Sequence, residues 1–125
     1  MTLISAAEAI RFNLQGVEFT SVAAPRFGAR ENAVWRLAIP AGRLSEGPHQ
    51  LTREEVLIAV AGSATCRIGD DHHEFGVGDA IVIPAFTDFA IGNPNEAPFE
   101  AIAVLPVGGR ALVPGVAPFI PPWAQ

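Results

Sequence analysis

The chain has 125 residues, which is enough for one hydrophobic core and too few for two ordinary domains. Half of its residues are hydrophobic, yet no stretch reaches the roughly 18–20 unbroken apolar residues of a membrane-spanning helix. The formal net charge is −5 and the eight basic residues are dispersed along the chain, which argues against nucleic acid and membranes as partners.

The first predicted elements lie before residue 40. Ser5 and Glu8 are spaced to satisfy each other's backbone donors across one helical turn. Alternating apolar residues on both sides of Gln15-Gly16 predict two strands, or one bent strand, within residues 10–22. Residues 33–39 alternate as well, and they place Trp35 on the more hydrophobic face of a third strand.

Short strands continue along the rest of the chain. The segment 55–61 is apolar on both faces, which predicts burial on both sides of that strand. The strands predicted after it cover residues 64–68, 72–75, 80–83, 89–91 and 99–105. A Pro-rich tail, residues 106–125, follows. About eight short strands predict an all-β fold, with minimal helix, but leave jelly roll, lipocalin-like barrel and immunoglobulin-like sandwich open.

Two groups of residues distinguish these folds, because their spacing resembles the two motifs of the cupin superfamily. In the first motif His49, Glu55 and Gly62 stand at the expected positions, and Leu51 stands where a second His belongs. In the second motif three positions agree, Gly78, Pro84 and Asn93, while Phe86 replaces a Gly and Phe89 replaces a His. The resemblance implies one antiparallel cupin β-barrel over residues 1–125, with the conserved barrel at about 33–105.

Metal-binding cupins, according to the same resemblance, hold an ion with three His and one Glu inside the barrel. Here only His49 and Glu55 remain of those four ligands, because Leu51 and Phe89 cannot coordinate. We therefore expect no cofactor. The alternative is an iron, manganese, nickel or zinc ion held by His49 and Glu55 in an atypical ligand shell.

The remaining titratable residues narrow the chemistry. The sequence contains no Lys and no Tyr, which excludes a Schiff base and a phenolic acid. His72 and His73 lie just past the turn of a predicted exposed hairpin, and Cys66 fits a buried apolar role. We expect His49 and Glu55 to form a catalytic acid–base pair, in which the carboxylate raises the pKa of the imidazole. The alternative is that the two side chains only satisfy each other as a relic of a lost metal site.

The barrel interior around this pair is predicted to be apolar and to bind substrate. Its lining residues are predicted to be Trp35, Leu51, Leu57, Phe89 and Ile91. Such a pocket suits a small, largely apolar molecule with one polar group, such as an aromatic acid, a polyketide-like compound or a terpenoid.

Three functions remain open from the sequence. The first is a metal-independent binding protein or a non-redox isomerase, cyclase or lyase, the second a metal-dependent dioxygenase-like cupin, and the third a non-catalytic sensor or accessory protein. Whether the chain is an enzyme is not fixed by its residues. The lone Cys66 and the interruption of the apolar N-terminus by Glu8 and Arg11 predict a cytoplasmic protein without a signal peptide. The apolar composition predicts a homodimer.

Overall fold

A computed structural model describes residues 2–45 and 47–125 and shows a fold built almost entirely of antiparallel strands. Within those residues the strands are β1 (Ile10–Leu14), β2 (Val17–Ala23), β3 (Asn32–Ile39), β4 (Gln50–Leu51), β5 (Glu55–Ala61), β6 (Ser63–Ile68), β7 (Asp71–Gly76), β8 (Ala80–Ile83), β9 (Phe89–Gly92), β10 (Phe99–Pro106) and β11 (Ala111–Leu112). Three single 3-10 turns complete the fold, at Ala6–Glu8, Pro25–Phe27 and Pro122–Ala124. The all-β prediction is confirmed. No described helix is long and apolar enough to cross a membrane.

The strands form one large sheet and two small ones. The large sheet has the order β1-β2-β3-β10-β5-β8, and the small sheets have the orders β7-β6-β9 and β11-β4. Alternate residues of the large sheet point into a common core. One row of that core crosses four strands in register, from Trp35 through Ala103 and Leu57 to Ile81. The small Ala103 leaves room between the larger side chains on either side of it.

Two motif residues have structural roles that explain why they are present. Gly62 has φ +68°, and a Cβ at this position would lie 2.2 Å from the carbonyl oxygen of Pro98. Asn93 is fully buried, and its amide nitrogen donates hydrogen bonds to the carbonyl oxygens of Ile39, Pro40 and Ala97. Both residues therefore fix the backbone between strands, and neither is available for chemistry.

The C-terminal tail packs on its own barrel. The Trp123 ring stacks on Phe19, with ring centroids 3.7 Å apart, and meets the edges of Phe12 and Trp35. The Arg26 guanidinium holds the same segment through hydrogen bonds of 2.8 Å to the Gln125 carbonyl oxygen and 2.6 Å to the Pro122 carbonyl oxygen. The tail thus closes the side of the core formed by β1, β2 and β3.

Strand β5 corrects one prediction about burial. Its inner face is buried as expected, but Ile58 and Val60 on the outer face are 42% and 40% exposed. The sequence pattern reported correctly that both faces are apolar. The prediction of burial on both sides is wrong for the outer face, because no other described element covers it.

Candidate functional site

The four residues at the ligand positions of the motifs lie on three strands and the segment before one of them. Glu55 begins β5, Phe89 begins β9, Leu51 ends β4, and His49 directly precedes β4. His49 and Phe89 are joined by two backbone hydrogen bonds, with N–O distances of 3.0 and 2.9 Å. Leu51 and Phe89 are 4% and 3% exposed and belong to the core, as expected for side chains that point into the barrel.

His49 lies at the border between the core and the surface. Its ring centroid is 4.2 Å from that of Phe89, in a tilted arrangement. Burial lowers the pKa of His49 below its usual 6.5, because the apolar surroundings disfavour the imidazolium form. The expectation that Glu55 raises this pKa is wrong, since no hydrogen bond or ion pair joins the two side chains. His49 is therefore neutral at pH 7 and able to accept a proton.

Glu55 is buried at 6% exposure, on the same inner face of β5 as Leu57 and Ala59. No hydrogen bond or ion pair joins its carboxyl group to another described residue. Burial raises the pKa of Glu55 from 4.5 to about 8, so the group keeps its proton at neutral pH. An unpaired buried carboxyl group costs stability, and such groups are characteristic of functional sites.

Cys66 is a neighbour of Glu55 that the sequence did not reveal as part of this site. The thiol is buried, and burial together with the charge of Glu55 raises its pKa to about 11. Its burial was predicted correctly, but its interaction with Glu55 was not, because the two residues lie on strands of different sheets. A thiol with so high a pKa is protonated and inert at neutral pH.

The predicted apolar lining is brought together in the core. Trp35 and Leu57 are 4% and 1% exposed, and Ile91 packs against the same cluster while remaining partly exposed. The interior is therefore packed with apolar side chains. Within the described residues the buried polar or charged side chains are only Ser21, Glu55 and Asn93.

An open groove of about 350 Å³ lies beside His49. One wall is formed by Pro48, His49, Gln50 and Asp88, and the other by Leu112, Val113, Pro114 and Val116 of the tail. Gln50 donates a hydrogen bond of 3.0 Å to Asp88. The groove exists because β11 pairs with β4 across about 60 residues of sequence. No local sequence pattern predicts that pairing.

The residues do not fit the metal ion that the fold family implies. No group of three or more His, Cys, Asp and Glu side chains within residues 2–45 and 47–125 is arranged to hold a metal ion. His72 and His73 are exposed on β7, an edge strand of a small sheet. His49 and Glu55 alone are fewer than the three protein ligands that such ions usually require.

Comparison with known proteins supports the resemblance seen in the motifs. The family model described as a cupin domain matches residues 35–105, more than half of the chain. No curated protein matches the sequence of this chain. Both the resemblance and the barrel architecture predicted from it are confirmed.

Solved structures share the fold at low sequence identity. The polyketide cyclase RemF from Streptomyces resistomycificus superposes with a TM-score of 0.79 at 15% identity, covering 94% of this chain and 87% of that one. KdgF from Halomonas sp. has a TM-score of 0.71 at 18% identity, covering 85% of this chain and 93% of that one. A sugar phosphate isomerase from Silicibacter pomeroyi has a TM-score of 0.68 at 17% identity, covering 81% of this chain and 67% of that one. At these identities the likeness extends to the fold alone.

Proposed function

The chain belongs to the cupin family, and on that premise we propose that it binds a small, largely apolar molecule and moves a proton on it without a metal ion. Glu55 is the acid and His49 the base in this proposal. The reaction class is a non-redox isomerisation, cyclisation or elimination. The observation that carries the proposal is the Glu55 side chain, which is 6% exposed and has no hydrogen-bond or ion-pair partner among the described residues.

The protonation states of the two residues complement each other. An exposed Glu is a stronger acid than His, but burial reverses that order here by raising the pKa of Glu55 to about 8 and lowering that of His49. A protonated carboxyl group and a neutral imidazole are then present together at pH 7. One can donate a proton while the other accepts one, as proton-transfer enzymes require.

The groove beside His49 is the proposed entrance for the ligand. The imidazole contacts both the groove and the buried Phe89 ring, so a ligand in the groove meets the base first. Phe89 and Leu51, at the neighbouring motif positions, are packed in the core, so the proposal includes a movement of one of these side chains to admit the ligand to Glu55.

The interior favours apolar substrates over sugars. Of its buried polar groups, Asn93 already donates three hydrogen bonds to backbone carbonyls, which leaves few partners for hydroxyl groups. RemF, one of the similar structures, is a polyketide cyclase, and its reaction type agrees with the proposal. Aromatic acids, polyketide-like compounds and terpenoids are therefore the compounds to test.

The deciding experiment measures binding and turnover separately for these three compound classes. Binding is followed by the fluorescence of Trp35 and Trp123 and by thermal shift, and turnover by mass spectrometry. We expect Glu55→Gln to bind as the wild type does and to lose turnover. Glu54→Gln is the matched control, since Glu54 is the exposed neighbour of Glu55, and it is expected to keep both. Undiminished turnover in Glu55→Gln would overturn the assignment of Glu55 as the acid. If the wild type binds a compound without converting it, the result would favour a sensor over an enzyme.

The wild-type pH profile gives an independent check. Turnover is expected to fall as pH rises through about 8, where Glu55 loses its proton, and to fall again on the acid side below pH 6.5, where His49 gains one. A rate that stays constant through pH 9 would contradict the role of Glu55.

Metal analysis of protein purified without chelator tests the metal-independent part of the proposal. We expect iron, manganese, nickel and zinc at well below one ion per chain. A stoichiometric metal ion that disappears in His49→Ala would instead establish the metal-dependent alternative.

A further inference from the structure

The ring of Trp123 is enclosed by aromatic side chains on the core side of β1, β2 and β3. It lies parallel to the Phe19 ring, with centroids 3.7 Å apart, and the rings of Phe12 and Trp35 each meet it edge-on at 6.4 Å. We call the space between Phe12, Phe19 and Trp35 the aromatic box. Trp123 remains partly exposed, so the box is open to solvent on one side. Its geometry suits one planar ring system, held by its face and its edges.

A hydroxyl group without a partner lies beside the box. Ser21 is 0% exposed, and its Oγ atom is the sole fully buried side-chain oxygen or nitrogen without a hydrogen bond in the part of the chain that the structure describes. Ser21 is paired in register with Trp35 and follows Phe19 by two positions on β2, so the three side chains project from the same face of the sheet. A buried, unpaired hydroxyl costs free energy, and a polar atom of a ligand in the box would remove that cost.

One side chain makes all the hydrogen bonds that hold the end of the tail on the barrel. Every hydrogen bond between residues 120–125 and the rest of the described chain involves Arg26. The other hydrogen bonds of this segment run within it, such as the one from the Gln125 side chain to the Ile120 carbonyl oxygen. A molecule that takes over both the aromatic box and Arg26 can therefore displace the segment.

Arg26 gives the box an edge that is suited to an acid. Its guanidinium carbon lies 5.4 Å from the centroid of the Phe12 ring. Its Nε and Nη2 atoms donate to the two tail oxygens, and this side of a guanidinium is one that binds a carboxylate through two parallel hydrogen bonds. No acidic side chain among the described residues forms an ion pair with Arg26. The charge therefore favours an anionic ligand.

We propose that the aromatic box is a second ligand site, which binds a planar bicyclic aromatic acid and which the tail occupies when that acid is absent. The rings of the ligand replace the Trp123 indole against Phe19, its carboxylate replaces the tail oxygens on Arg26, and a hydroxyl group on the rings bonds to Ser21. Trp123 then moves into solvent. The site shares no residue with the groove beside His49, and it goes beyond the proton transfer proposed above because it requires only binding.

The test uses 6-hydroxy-2-naphthoate, whose fused rings are similar in size to an indole and which carries both polar groups. Calorimetry measures its affinity for the wild type and for Trp123→Ala. We expect Trp123→Ala to bind it about tenfold more tightly or better, because the indole no longer competes for the box. Phe119→Ala, which removes a tail aromatic outside the box, is the matched control and is expected to bind as the wild type does. Equal affinities of the wild type and Trp123→Ala, or no binding to either, would overturn the proposal.

The polar contacts are tested by further substitutions in the Trp123→Ala background. Ser21→Ala and Arg26→Gln are each expected to weaken binding of the naphthoate by about tenfold. Arg26→Gln is also expected to abolish the preference for the acid over its neutral amide, 6-hydroxy-2-naphthamide. Unchanged affinity in both variants would contradict the assigned site.

A measurement on the wild type keeps the proposal testable if Trp123→Ala does not fold. The indole N–H signal of Trp123 in NMR spectra, assigned with Trp123→Phe, is expected to shift to a solvent-exposed position as the naphthoate is added. The signal of Trp35 is expected to keep the position of a buried indole. A Trp123 signal that does not move at saturating naphthoate would overturn the displacement of the tail.

Discussion

The two faces of strand β5 carry side chains that mismatch their surroundings in opposite directions. The inner face begins with Glu55, a carboxyl group in an apolar core, and the outer face presents Ile58 and Val60, aliphatic groups in water. A strand selected for stability alone would be apolar inside and polar outside. The comparison teaches that the two mismatches differ in origin. The inner one belongs to the proposed proton-transfer pair, and the outer one lies where no other described element covers the strand.

The largest expected effect distinguishes packing on the two faces. Leu57→Ala, on the inner face, is expected to lower the free energy of unfolding by about 2–5 kcal/mol, because the closely packed core leaves a cavity. Ile58→Ala, one residue away, is expected to cost less. The Ile58 side chain is already 42% exposed, so its truncation removes less buried apolar surface. Urea denaturation measures both losses of free energy, and equal losses would contradict the contrast.

The next effect is specific to the inner mismatch. The raised pKa of Glu55, about 8 instead of 4.5, means that between these pH values the native state keeps a proton which the unfolded state releases. The wild type is therefore expected to lose stability as pH rises through this window, by on the order of 3 kcal/mol from pH 5 to pH 8 relative to Glu55→Gln. Glu54→Gln is expected to follow the wild type. Parallel wild-type and Glu55→Gln profiles would show that Glu55 is ordinarily ionised.

A smaller effect concerns the tail that closes the inner side of the sheet. Trp123→Ala removes the ring stacked on Phe19 and is expected to lower the free energy of unfolding by about 2 kcal/mol. Phe119→Ala removes a tail aromatic that is 36% exposed and is expected to cost less. Thermal denaturation of the two variants measures the difference, and a larger loss for Phe119→Ala would contradict the anchoring role of Trp123.

The smallest effect concerns Phe86, another apolar side chain that faces water. This residue is 63% exposed and has φ +57°, a backbone conformation that favours Gly. Phe86→Gly is expected to raise the free energy of unfolding by about 0.5–1 kcal/mol, because it removes the strain of that conformation. Phe86→Ala keeps the strain and is expected to bring no gain, so equal stability of the two variants would contradict this explanation.

Local patterns were sufficient to predict most of the fold. The bounds of β5 and the two strands around Gln15-Gly16 follow from alternation and turn residues, and both are seen. The motif spacing also placed Leu51 and Phe89 in the interior. These features depend on backbone geometry and burial, which neighbouring residues largely determine.

The site was predicted less completely, because its properties depend on distances between strands. The motifs indicate that His49 and Glu55 belong to one region, but they do not indicate that the two side chains fail to pair. Because they do not pair, burial alone acts on His49 and lowers its pKa instead of raising it. The tail wall of the groove arises from the non-local pairing of β11 with β4. Cys66 and Glu55 interact although they lie on strands of different sheets. Similarly, an apolar outer face on β5 predicts burial without saying whether the same chain or another provides it.

Cys66 gives the protein a built-in reporter. It is the sole cysteine in the sequence, it is 1% exposed, and burial raises the pKa of its thiol to about 11. Alkylating reagents therefore modify it only when the barrel opens. The labelling rate of the unaltered protein thus reports how often solvent reaches the surroundings of Glu55, and a compound that seals the interior slows that rate without any engineered probe.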